Sequence, residues 1–166
     1  ISHRPELQYN FRLLDSDVLN AFAVPGGYVY FTRGIMAYFN NEAQFAGVLG
    51  HEIGHIAARH SAQQYTKQMI SQVALVGGMI FSEKLASMAG DAMQGLELLF
   101  LKFSRDDETQ SDKLGVEYSS TVGYDAKEMA LFFKTLDRYS NQGESGRLPE
   151  FMSTHPDPGN RYVNVT

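Results

Sequence analysis

The chain has 166 residues, of which 43% are hydrophobic and 20% charged, with a formal net charge of -5. That length and balance suit a folded domain with a real core, read here as one domain over residues 1–166, and not a disordered segment. The mild acidity and the lack of any basic cluster argue against a nucleic-acid footprint. The absence of cysteine excludes disulfides, thiolate metal sites and a Cys nucleophile, so any metal must be held by His, Asp or Glu.

Leu7, Tyr9, Phe11 and Leu13 alternate with polar residues, the period of a half-buried strand. Two further β-rich runs, 18–24 and 28–32, flank Pro25-Gly26-Gly27, which reads as a tight turn. A small three-stranded sheet is therefore expected to open the chain. A helix follows, with Asn41 as N-cap and Gln44 at the capping-box position. Phe45, Val48, Leu49, Ile53 and Ile56 form its apolar face, while Ala46, Gly47, Gly50, Gly54 and Ala57 line the other side. Each mid-helix glycine costs about 1 kcal/mol relative to alanine. Close packing on that side is the reason expected, which makes this helix central and buried nearly all round.

Residues 61–103 read as helical throughout, with breaks at Gly77-Gly78 and near Gly90 or Gly95. The apolar run 70–81 falls short of the roughly 18 residues that a membrane span needs, and reads as a buried helix. A third helix begins near Ser104, where Ser104-x-x-Asp107 is a capping box. A fourth begins at Asp125, where Asp125-x-x-Glu128 is another, and carries Met129, Phe132, Phe133 and Leu136 at apolar positions. A polar loop is expected over 141–149, and Asp157-Pro158 starts a last helix. The fold class is α+β and predominantly helical. The small N-terminal sheet packs on the helix that holds His51-Glu52-Ile53-Gly54-His55.

That pentapeptide carries the chemistry. His51 and His55 are four apart on a helix, so they project from one side and can share a cation. Glu52 lies about 100° further round. It is poorly placed as a ligand but well placed to take a proton from a water that the cation activates. A catalytic zinc takes three protein ligands and keeps one position open. His60 is a poor third ligand, because five residues after His55 puts it about 140° away on a continuous helix; it reads as solvent-facing or as a support to the site. Glu108 and Asp112, with Gly115 and Ser119 on the same face, offer a carboxylate ligand and an acid to orient a histidine. A solvated, acidic helix start explains the same pair equally well.

The ordered segments HEIGH, SRDDETQSDKLG, GYDAKEM and STHPDPGNR resemble the M48 family of metallopeptidases. The resemblance runs from about Phe11 to Arg161 and implies a zincin-like fold, one Zn2+ per chain and a protein or peptide substrate. It implies that Glu108 is the third metal ligand and that Asp112 supports a ligand histidine. His155 then helps to stabilise an oxyanion, and Arg161 lies near the same site. Asn20, Ala21 and Phe22 then belong to an edge strand along which an extended substrate lies, held by backbone hydrogen bonds. The chain lacks the spanning helices of membrane-embedded members. It is closer to soluble periplasmic relatives, which implies envelope protein quality control and a periplasmic or envelope location. A chain that begins at Ile1 reads as processed or truncated, so a signal or membrane anchor would lie upstream.

A self-blocked cleft, with a loop residue such as His155 in the fourth metal position, is one further reading of the resting site. Two rivals to the protease remain. One is a chaperone or assembly factor whose zinc site is shielded or rarely used. The other is a non-haem iron centre, which two His and one carboxylate also suit but which leaves Glu52 without a task.

Overall fold

The computed structural model describes residues 2–79, 102–142, 150–156 and 161. The chain opens with β1 (Asn10–Leu14), β2 (Ala21–Val24) and β3 (Tyr28–Thr32). Their order is β1-β3-β2, with β1 parallel and β2 antiparallel to the central β3. The β2–β3 turn depends on Gly26 and Gly27, whose φ values of 99° and 94° lie in the left-handed region that favours glycine. A Cβ on Gly27 would also meet the Gln8 carbonyl oxygen at 2.6 Å.

β1 forms where alternation predicts it, but its apolar side faces outward. Phe11 is 50% and Leu13 65% exposed. The residues of that alternation that pack on the core, Leu7 and Tyr9, precede the strand. The second strand is shorter than the β-rich run, because Val18 is exposed and pairing starts at Ala21.

At the end of β3 the Thr32 hydroxyl accepts the Ile35 amide and so caps α1 (Arg33–Met36), a turn of helix that the sequence reading lacks. α2 (Glu42–Ala57) is capped as expected, with Asn41 Oδ1 accepting the Gln44 amide at 2.9 Å. It ends at Ala57. Arg59 then takes a left-handed φ of 62°, the chain reverses, and α3 (His60–Met79) begins. α3 continues through Gly77-Gly78, where a break was expected. Of the run 70–81 read as a buried helix, Ile70 and Ser71 are exposed, and the side chains of 72–81 lie outside the described residues. The expected breaks near Gly90 and Gly95 and the helix start at Asp157-Pro158 lie outside the described residues.

α4 (Arg105–Thr121) opens on the predicted reciprocal box between Ser104 and Asp107. α5 (Lys127–Gln142) starts two residues later than predicted. Asp125 accepts the Lys127 amide, whereas Glu128 turns away to accept from Asn41 Nδ2 (2.8 Å) and Gln44 Nε2 (3.0 Å), fastening α5 to the start of α2. The helix also runs on to Gln142, two residues into the expected loop. α6 (Glu150–Thr154) follows, and the Phe151 amide donates to the Leu19 carbonyl at 3.0 Å. Val29, Ile35, Val48, Met129, Phe132, Phe133, Leu136 and Phe151 fill the core between sheet and helices.

The fold is α+β, predominantly helical and zincin-like, with α2 at its centre. α2 and α4 lie very close. A Cβ on Gly115 would sit 2.9 Å from the His51 backbone nitrogen, and one on Gly50 3.0 Å from the Gly115 carbonyl oxygen. The glycines that weaken α2 as an isolated helix thus let α4 settle against it. No helix among the described residues is long and apolar enough to cross a membrane.

Candidate metal centre

α2 projects His51 and His55 from one side, both fully buried, with their Nε2 atoms 2.9 Å apart. The close approach of α4 brings in Glu108, whose Oε1 lies 3.3 Å from His55 Nε2. His155, just after α6, points its Nδ1 at the same spot, 3.3 Å from His51 Nε2 and 3.0 Å from Glu108 Oε1. The donor atoms of these four residues all lie within 4.8 Å of one another. A tetrahedral cation with bonds of about 2.0–2.1 Å has ligand–ligand edges of about 3.3 Å. The four side chains therefore fit one cation.

Charge supports the same reading. Glu52, Glu108 and Asp112 are buried against one buried guanidinium, that of Arg161. Two uncompensated negative charges inside a protein are costly, and a divalent cation would neutralise them. Among the described residues, both oxygens of Glu52 and Oε2 of Glu108 are buried without a hydrogen-bond partner, their charged neighbours His155 and Arg161 making ion-pair contacts only.

Each ring is braced from behind. Asp112 Oδ1 lies 2.9 Å from His51 Nδ1, and Arg161 Nε donates to Asp112 Oδ2 at 2.9 Å. Arg161 Nη1 pairs with Glu108 Oε2 at 3.1 Å, and its guanidinium covers the Phe133 ring at 3.9 Å. Phe103 stacks on His55 with ring centres 3.9 Å apart, and Phe151 stacks on His155 at 4.5 Å.

These surroundings set the protonation states. Burial raises the Glu52 carboxyl above its ordinary value, against the pull of His155 and His51. Burial also pushes Glu108 and Asp112 up, but their partners outweigh it. His155 and Arg161 hold Glu108 well below the carboxylate range, and Arg161 with His51 lowers Asp112 to about 2. Burial lowers His55 well below the ordinary histidine value. Burial lowers His155 too, but Glu108 and Glu52 raise it overall.

The structure gathers His51, Glu52, His55, Glu108, Asp112, His155 and Arg161 into one cluster. His155 Nε2 lies 3.5 Å from Glu52 Oε1. Arg161 sits among the acids and is 3% exposed. Asn20, Ala21 and Phe22 lie on or beside β2, at the edge of the sheet. Asn20 bonds toward β3 through Thr32, so strand alternation turns the backbone of Ala21 and Ala23 to the outer edge. That edge is not free. The Leu19 carbonyl takes the Phe151 amide, the Ala23 carbonyl takes Ser61 Oγ, and Ala21 is fully buried.

Sequence reasoning missed the bracing rings of Phe103 and Phe151; of its two alternatives for His60, solvent-facing or a support to the site, the structure fits the second, since His60 is 2% exposed and its Nδ1 lies 3.0 Å from His55 Nδ1. The signal for His60 would have been the end of α2 at Ala57. Neither glycine nor proline marks that end. A cavity of about 210 Å³ opens beside His55, lined also by Arg4, Gly26, Arg59 and Ser61.

The sequence matches the description Peptidase family M48 over residues 1–166. It is 30% identical over 179 residues to the β-barrel assembly-enhancing protease of Escherichia coli K12, covering 99% of this chain and 36% of that protein. It is 27% identical over 157 residues to the mitochondrial metalloendopeptidase OMA1 of Arabidopsis thaliana, covering 93% of this chain and 30% of that one. For the Schizosaccharomyces pombe OMA1 the figures are 29% over 167 residues, 99% and 48%. The chain thus spans between a third and a half of the length of most such relatives.

Proposed function

The chain belongs to peptidase family M48, and on that premise we propose that it is a zinc-dependent endopeptidase acting on extended or unfolded protein segments. The observation that carries this reading is the convergence of His51, His55 and Glu108 beside a buried carboxylate, Glu52, whose oxygens have no hydrogen-bond partner among the described residues.

His51, His55 and Glu108 would hold the ion. When bound, zinc supplies a Lewis acid that polarises a carbonyl and brings the pKa of water toward about 7. Glu52 is the general base and then the acid: its raised pKa lets it take a proton at a carboxylate oxygen and return it to the leaving amine. Asp112 accepts from His51 Nδ1 and fixes the tautomer that leaves Nε2 free for the ion. Arg161 holds Asp112 and Glu108 ionised. The outer-edge backbone of Ala21 and Ala23, flanked by Asn20 and Phe22, would pair with substrate once the contacts from Phe151 and Ser61 release.

A second reading concerns the resting state. His155 Nδ1 takes the fourth corner of the donor set, the position that a catalytic zinc keeps open. We infer a shielded site in which His155 must withdraw before it can serve as a donor to the substrate oxyanion. In the alternative the shield stays and the protein works as an assembly factor. The role we assign is protein quality control at a cell envelope, supported by relatives named for β-barrel assembly; fractionation of native cells tests the location.

Digestion of unfolded casein at full zinc occupancy tests the chemistry. The wild-type protein should cut and Glu52→Gln should not, while both bind the metal. If neither cuts, the protease reading fails. Zinc absorption spectroscopy tests the shield: three nitrogen ligands support it, and a clear water ligand counts against it.

A further inference from the structure

His60 is the one buried histidine that the proposed chemistry leaves without a task. It opens α3, and its Nδ1 lies 3.0 Å from His55 Nδ1. Its Nε2 lies 3.0 Å from Gln110 Oε1 and 3.6 Å from Asp107 Oδ1, both on α4. Ser111 Oγ is 3.2 Å from His60 Nδ1.

Proton logic orders this chain. If His55 gives its Nε2 lone pair to a cation, its proton sits on Nδ1, because a neutral imidazole carries only one. His55 Nδ1 then donates, and His60 Nδ1 must accept. His60 in turn carries its proton on Nε2, which faces the Gln110 carbonyl oxygen and the Asp107 carboxylate. The Gln110 carbonyl oxygen, an acceptor 3.0 Å from His60 Nε2, fits this direction of donation. The reverse direction would place a proton on His55 Nε2, 2.9 Å from His51 Nε2 and 3.3 Å from Glu108 Oε1, and would close that corner to a metal.

We propose that His60 is a positioning residue for the metal centre, holding His55 in its metal-binding tautomer as Asp112 holds His51, with Gln110 and Asp107 anchoring its far side. It acts through His55 and touches neither substrate nor ion. The backbone supports this assignment. On one continuous helix His55 and His60 would point about 140° apart. They meet because Arg59 takes a left-handed conformation, which is unfavourable for a side-chain-bearing residue.

This inference rests on the metal-site reading, and the test keeps the two apart. Zinc affinity of the full protein is measured by competition with a chromophoric chelator. His60→Leu, which keeps bulk but offers no acceptor, should bind zinc 10- to 100-fold more weakly. His60→Asn, whose Oδ1 replaces the Nδ1 acceptor, should recover most of that loss. A His60→Leu protein that binds within twofold of wild type overturns the proposal and leaves the metal site standing. Equal losses in both variants overturn it too, since bulk alone would then matter. A wild-type protein that takes up no zinc overturns both readings. Should the variants fail to fold, 15N-correlated imidazole spectra of the zinc-loaded wild type still decide. The proton is expected on Nε2 of His60 and Nδ1 of His55, and the opposite tautomer on His60 refutes the assignment.

Discussion

Asp112 shows how one side chain can carry both stability and orientation. Its carboxyl is lowered from 3.8 to about 2, despite burial, by Arg161 and by the hydrogen bond with His51. Because the folded value lies below the unfolded one, the contribution is present above about pH 4 and is lost as pH falls through about 2. The shift corresponds to about 2 kcal/mol in the metal-free protein. Asp112→Asn should therefore lower the urea-unfolding free energy by about that amount at pH 7, and should flatten its decline in acid. The same residue illustrates how far single residues were legible. The spacing of His51 and His55 puts both rings on one side of α2, and their Nε2 atoms do meet, 2.9 Å apart. Spacing leaves Glu108 and Asp112 undecided between ligand pair and solvated helix start, because helical spacing alone cannot say what packs opposite; only the family resemblance favours the ligand pair. His60 stays open between solvent-facing and supporting the site, because the sequence does not show that α2 ends at Ala57, before a left-handed arginine.

At the scale of elements, the site depends on how closely α4 approaches α2. Gly115→Ala would put a methyl group 2.9 Å from the His51 backbone nitrogen and 3.2 Å from the Gly47 carbonyl oxygen. Backbone cannot swing aside as a side-chain tip can, so the helices must separate. A loss of about 1–3 kcal/mol is expected in thermal melts, together with weaker zinc binding, since Glu108 and Asp112 retreat with α4. Unchanged metal affinity in a destabilised protein would show that the helices accommodate the methyl by sliding rather than parting. The glycine spacing on α2 did announce this packing, and the helix caps at Asn41 and Ser104 were legible because capping is local chemistry. The start of α5 was not, since Glu128 found better partners across the fold in Asn41 and Gln44 than in its own first turn. The burial of β1 was misread for a related reason. Alternation reveals two faces, but which face is covered depends on neighbours that the strand does not encode.

For the whole molecule, the centre is a buried concentration of negative charge, and the metal-free protein must tolerate it. Burial lowers the pKa of His155, but Glu108 and Glu52 beside it raise it overall, the direction in which this negative charge acts. Zinc binding only to the folded state at a free concentration of about 1,000 times Kd would add about 4 kcal/mol of stability. Chelation should therefore lower the unfolding temperature of the wild type by many degrees, and that of Glu108→Gln by much less. The bond from the Phe151 amide to the Leu19 carbonyl has a consequence at the same scale. It makes α6 an occupant of the very edge on which the proposed substrate would dock, and α6 leads directly into His155. Docking and unmasking are then two faces of a single pre-equilibrium. A visiting segment encounters only the fraction of molecules whose edge is vacant, so its apparent Kd exceeds the intrinsic value by the inverse of that fraction. Every 1.4 kcal/mol by which α6 prefers its seat lowers apparent affinity tenfold. Such a protein would ignore scarce, briefly exposed chains and respond once unfolded ones accumulate.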